Sequence, residues 1–243
     1  MAEKTTRGTT ARPIASTFQI VEAYKALRAN LQFALATSDK KVIAVTSAEP
    51  SAGKSTASSN LAITMAQTGS RVLLIDADMR KPTQHKTFRV RKSNGLSMIL
   101  SGLLTYEDCV CREVAKGTDL IPAGTIPPNP SELLGSPAMA RFLAEMQEKY
   151  DYVLVDMPPV GVVSDALVVA PHVAGILLMA RQRQTTYEEL QQAVDSVKKV
   201  DGNILGVVIT DVRDSDRSYG RPERYKYYRS YDYTYGSPED KRR

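Results

Sequence analysis

Five short apolar runs, separated by helix-like stretches, constrain the fold of this chain more than any other feature. Residues 41–46, 71–75, 152–155, 175–179 and 204–209 are rich in Val, Ile and Leu and do not alternate with polar residues. Runs of this kind suit strands buried on both faces, hence a parallel sheet covered by helices. The intervening segments carry helix-start signals. Thr185 and Thr186 stand three residues before Glu188 and Glu189, as in a capping box. Ser164 precedes another start, and Pro137 after Ser136 suits a first helical turn. Residues 121–130 hold too many prolines for a regular element. The expected architecture is α/β, with a mostly parallel central sheet and helices on both faces.

The first apolar run leads into Thr46-Ser-Ala-Glu-Pro-Ser-Ala-Gly-Lys-Ser-Thr56, and a helical pattern through Leu61 and Met65 follows. Gly53-Lys54-Ser55 in a strand–loop–helix setting fits the end of a phosphate-binding P-loop. Backbone N–H groups and a helix N-terminus would face the phosphates, with a lysine ammonium at the outer oxygens. The usual first glycine of that pattern is Ala48 here, and Ser51 and Ala52 fill the loop interior. Two further runs end in acids. Val72-Leu-Leu-Ile-Asp-Ala-Asp78 places Asp76 and Asp78 on one side of an extended chain. Val153-Leu-Val-Asp156, followed by Met-Pro-Pro, supplies a third carboxylate. Open parallel sheets bind ligands beyond the carboxyl ends of their strands, so these acids are placed to hold a metal–phosphate complex.

Composition excludes several alternatives. No apolar run reaches the ~18–20 residues that span a bilayer, and residues 1–16 lack the apolar core of a secretory signal. Cys109 and Cys111 are the only cysteines, too few for a structural zinc site and too close for a favourable disulfide. They read as free thiols in a reducing compartment. His85 and His172 are isolated and read as structural or surface residues. A net charge of +5 is too small a bias to name an anionic partner.

Near the start, Ile20, Tyr24, Leu27 and Leu31 form a helical apolar stripe, and Glu22, Lys25 and Arg28 form a charged one. The final thirty residues contain no Val, Ile, Leu, Met or Ala, yet hold seven of the twelve tyrosines among eight basic and six acidic residues. Such a segment cannot bury enough surface to offset its ordering entropy. Three parts are expected: a loose segment 1–16, a folded domain 17–213 and a disordered tyrosine-rich tail 214–243.

Gly53-Lys54-Ser55-Thr56, Leu74-Ile-Asp-Ala-Asp-Met-Arg-Lys-Pro82 and Val155-Asp-Met-Pro-Pro159 together resemble the bacterial tyrosine kinases. These are cytoplasmic autokinases of capsule and exopolysaccharide systems, with a deviant-Walker P-loop NTPase fold shared with cell-division-site ATPases. The resemblance implies ATP and Mg²⁺ as cofactors, with Ser51, Ala52, Gly53, Lys54, Ser55 and Thr56 around the phosphates. It implies that Lys54 grips the β/γ oxygens, that Ser55, Asp76 and Asp156 organise Mg²⁺, and that Asp78 is the catalytic base. It further implies phosphorylation of Tyr225, Tyr227, Tyr228, Tyr231, Tyr233 and Tyr235 in a neighbouring copy. Glu22, Lys25 and Arg28 resemble the family's oligomerisation motif, whose charges pair around a ring, although a merely solvated face gives the same pattern. The central basic residue is lysine here, without arginine's bidentate fork. Thr210 stands where related proteins often carry an adenine-contacting asparagine. Arg80 and Lys81, just beyond the acids, face either phosphate, incoming substrate or solvent.

The partners implied are a transmembrane activator of the polysaccharide co-polymerase type, further copies of the chain in a ring, and a cognate tyrosine phosphatase. The activator would recruit the chain to the inner face of the plasma membrane. One alternative is a switch ATPase of the partitioning or septum-site type. Those proteins usually carry an extra lysine early in the loop, where this chain has Glu49, and they lack such a tail. Another treats the tail as a stacking segment for RNA or membrane, but its six acids argue against nucleic acid.

Overall fold

The computed structural model describes residues 17–36, 38–91 and 93–212. Segments 1–16 and 214–243, with their proposed boundaries and tyrosines, lie outside the described residues. Seven strands form one sheet in the order β3-β4-β2-β5-β1-β6-β7. Five are the apolar runs of the sequence, observed as β1 (Val42–Ser47), β2 (Val72–Asp76), β5 (Tyr152–Asp156), β6 (Gly175–Arg181) and β7 (Ile204–Thr210). They pair in parallel with one another and with β4 (Thr118–Ile121). Every residue of β1 and β2 is buried, as the unbroken apolar runs require.

β4 and its antiparallel neighbour β3 (Cys111–Ala115) lie outside the five apolar runs. β3 is an edge strand carrying Arg112 and Glu113 on a half-exposed run, and Glu113 turns to φ +48°. Charge and irregularity protect such an edge from pairing with other chains, and they also hide it from a search for apolar runs. The proline-rich segment beyond β4 is irregular, as expected, until a short helix begins at Pro130.

Alternate residues of the central strands feed two cores. Ile43 and Val45 of β1 join one with Leu61 and Met65 of helix α2 (Lys54–Ala66) and Leu31 of α1 (Thr17–Ala34). Val42 and Ala44 join the other, with residues of helices later in the chain. In α1, Tyr24 and Leu27 pack against the first core and Leu31 is buried, but Ile20 is 47% exposed, so the apolar stripe outruns its support. The final long helix (Tyr187–Lys198) starts with a complete capping box, in which Thr186 Oγ1 accepts from the Glu189 amide and Glu189 accepts from the Thr186 amide.

Candidate functional site

The chain turns sharply from β1 into α2. Ser51 and Gly53 both adopt left-handed backbone, at φ +64° and +87°, and Gly53 is the N-cap of α2. Residues of alternating handedness point successive N–H groups into one concavity, which favours anions. Lys54 follows as the first helical residue and is buried. Its ammonium lies close enough to Asp156 to favour that residue's ionised form. Neighbouring elements fix the outer wall of the loop. Thr210 Oγ1 donates to the Ala52 carbonyl at 2.9 Å, and Arg181 donates to that of Ser51 at 3.3 Å. Thr185 Oγ1 donates to Glu49 at 2.6 Å while accepting the Arg181 amide at 2.7 Å.

The three acids converge as the strand ends require. Asp76 and Asp156 are register partners on β2 and β5, both buried. Asp78 lies near enough for its charge to raise the pKa of both. Asp76 Oδ2 accepts from the Thr83 and Gln84 amides, each at 3.0 Å, but its Oδ1 is buried without a partner in the protein. Burial first, then repulsion from Asp156, pushes Asp76 up to about 8. Burial likewise raises Asp156, to about 6, against hydrogen bonds from Ser55 and Gln84 and the charge of Lys54. Asp78 Oδ1 accepts the Lys81 amide at 2.9 Å.

Two buried carboxylates with raised pKa values and an orphaned oxygen mark a place that lacks positive charge. A divalent cation bound by Ser55, Asp76 and Asp156 fits that deficit. Among the described residues no three His, Cys, Asp or Glu side chains form a ready-made metal cage. Mg²⁺ bound with a nucleotide does not need one, because it takes phosphate oxygens, waters and one or two carboxylates.

Arg80 does not supply the missing charge. Its guanidinium binds the buried Asp165 twice, at 3.0 Å each, and also meets Ser131, whose hydroxyl donates to the same carboxylate. Of the alternatives for Arg80, the surface position holds, with its side chain 40% exposed while its guanidinium is tied to Asp165. Lys25 pairs with Glu22 within α1 at 2.7 Å, and Arg28 donates to the Thr64 carbonyl of α2 at 2.8 Å. All three charges of the stripe therefore already have partners in their own chain.

Three residues of this region escaped the sequence reading. Gln84 is buried, and its Nε2 donates to Asp156 Oδ2 at 2.7 Å and to the Ser55 carbonyl at 3.0 Å. Asp165 is legible only as a helix-start acid after Ser164. Gly161 lies in the loop beyond Met157-Pro-Pro, where a Cβ would sit 2.1 Å from the Ala48 carbonyl oxygen. Its signal was a glycine a few residues past the strand-end acid.

Residues 40–205 match a family model described as an AAA domain. With the strand–loop–helix turn and the strand-end acids, the match defines a P-loop nucleotide-binding domain. The chain is 35% identical to the putative tyrosine-protein kinase CapB of Staphylococcus aureus, over 86% of this chain and 90% of that protein. It is 38% identical to the putative tyrosine-protein kinase EpsB of Ralstonia solanacearum over 89% of this chain, but spans only 29% of that relative's length. Among solved structures, the kinase domain of the Escherichia coli tyrosine kinase ETK aligns with a TM-score of 0.76 at 34% identity, covering 90% of this chain and 89% of that one. The chain belongs to the bacterial tyrosine-protein kinase family.

Proposed function

We propose that this chain is an ATP-dependent protein-tyrosine autokinase that phosphorylates the tyrosines of its own tail in a neighbouring copy. The observation that carries the reading is a surplus acid. A Mg·nucleotide complex uses one or two carboxylates, and Asp76 and Asp156 fill that need. Asp78 is close enough for its charge to act on both, and it is itself buried, though less completely than they are, with a backbone amide on one oxygen. A tyrosine hydroxyl, with a pKa near ~10, needs such a base.

Lys54 and the α2 N-terminus bind the β/γ phosphates, and Ser55, Asp76 and Asp156 hold Mg²⁺. When bound, the metal neutralises charge on the phosphate oxygens and orients them. The tyrosine oxygen forms its bond to the γ-phosphorus as the bond to the β–γ bridging oxygen breaks. Asp78 takes the phenolic proton and ADP leaves. Phosphorylation adds about −1.5 to −2 charges per tyrosine, turning a slightly basic tail strongly acidic and repelling neighbouring subunits. Assembly rests on the exposed Glu22–Lys25 pair, which is worth little within one helix and is free to re-pair between copies. A transmembrane activator recruits the kinase to the inner face of the plasma membrane, a cognate phosphatase resets it, and the cycle regulates capsule or exopolysaccharide synthesis. Among the described residues no helix is long and apolar enough to cross a membrane itself.

Glu49 also favours a kinase over a switch ATPase, because Thr185 holds this acid where those ATPases carry their extra lysine. The test is incubation with Mg·ATP, with and without the activator's cytoplasmic segment, followed by phosphotyrosine mapping against a Lys54→Met control. ATP hydrolysis without modified tail tyrosines sinks the kinase reading and leaves the switch ATPase.

A further inference from the structure

We propose that Gln84 is the positioning residue of the metal–nucleotide site, tying its separate acids to the phosphate loop. The proposal rests on the ATP- and Mg²⁺-binding part of the reading above. The Gln84 side chain joins a strand-end acid to the start of α2. Ser58 does so more weakly, through Asp156 Oδ1 at 3.5 Å and the Lys54 carbonyl at 3.0 Å, but Gln84 also holds Asp76 through its backbone amide. The Gln84 Nε2 reaches Asp156 Oδ2 at 2.7 Å and the Ser55 carbonyl at 3.0 Å. Its backbone amide, with that of Thr83, holds Asp76 Oδ2. One buried residue thus anchors an acid on β2, an acid on β5 and the helix that presents Ser55.

The amide orientation is forced. Flipping it would set Oε1 against a carboxylate and a carbonyl, two acceptors facing a third. The same orientation leaves Oε1 buried without a protein partner. Asp76 Oδ1 and Thr83 Oγ1 are buried and unpartnered as well, so three orphaned oxygens gather in residues joined by direct hydrogen bonds. Orphaned buried polar atoms are rare in folded proteins. Three together fit a site completed by a hydrated cation, whose waters donate and whose charge attracts oxygen. Gln84 then does two things. It neutralises part of the repulsion on Asp156 before the metal arrives, and it fixes the direction of the carboxylate that receives the metal.

Gln84→Met keeps length and bulk but removes the donor. The measurement is ADP affinity by titration calorimetry, with Mg²⁺ and with EDTA, so that the ratio isolates the metal. Loss of an outer hydrogen bond of this type lowers metal affinity about 10–100-fold, so the Mg²⁺ enhancement should fall about tenfold or more while EDTA affinity changes less than about twofold. Thr87→Ala, on the same short helix but away from the acids, should leave the ratio unchanged. If Gln84→Met does not fold, Gln84→Asn carries the same expectation, because its amide is one methylene too short to span both acceptors. An unchanged ratio in a folded Gln84 variant, or an equal loss in Thr87→Ala, overturns the proposal. Binding of ADP is the readout, so failure of tyrosine phosphorylation alone leaves this result intact.

Discussion

Asp76→Asn should stabilise the empty protein, and more so as pH rises. The amide retains an oxygen for the Thr83 and Gln84 N–H groups and places an NH₂ where the carboxylate has a partnerless oxygen. In the wild type, burial and Asp156 lift Asp76 from the ordinary 3.8 to about 8. The folded protein therefore holds a proton that the unfolded chain has released, and stability falls as pH rises between those values. Asp156 gives up its own proton near about 6, so Asp76 carries the slope above that point. A full one-proton difference corresponds to about 1.4 kcal/mol per pH unit, and integration from about pH 6 to about pH 8 gives about 2 kcal/mol. For a domain of this size that is about 4–8 °C in Tm. The assay is thermal unfolding of both proteins in EDTA without nucleotide. The Tm advantage of the variant should grow across that interval, and comparing the two proteins cancels the histidines. A pH-independent difference, or one that shrinks with rising pH, refutes the electrostatic account of the site.

Arg80→Ala should cost about 2 kcal/mol in urea unfolding, because it leaves the buried Asp165 with only Ser131, and Arg80's own 40% exposure softens the loss. Gly161→Ala should push the Ala48 carbonyl and with it the phosphate loop, weakening ADP binding at least about tenfold by calorimetry while circular dichroism stays native. Asp78→Asn should slow phosphotransfer by about 10²–10⁴-fold in quenched-flow assays yet leave Mg·ADP affinity within about threefold. An equal loss of binding would make Asp78 a ligand rather than a base.

The parts legible in the sequence were those encoded locally. A strand shows as an unbroken apolar run, its end as an acid, and the phosphate loop as Gly53-Lys54-Ser55 in the right context. Long-range contacts left no such trace. Gln84 meets Asp156 across 72 residues, and Arg80 meets Asp165 across 85. No local pattern announces either pair. Two threonines looked equivalent as helix caps, and only tertiary structure divides them, because Glu49 of the phosphate loop captures Thr185 and leaves Thr186 to cap. β3 and β4 were missed because one is charged and irregular and the other has only four residues before Pro122.

The most direct measurement of the central claim mixes two forms of the chain. One carries Lys54→Met and an intact tail, and the other is active with all seven tail tyrosines, Tyr219 included, replaced by Phe. Incubation with Mg·ATP and mass spectrometry of the first form should reveal phosphate on Tyr225, Tyr227, Tyr228, Tyr231, Tyr233 or Tyr235. An unmodified tail in the presence of a partner that hydrolyses ATP would contradict the account.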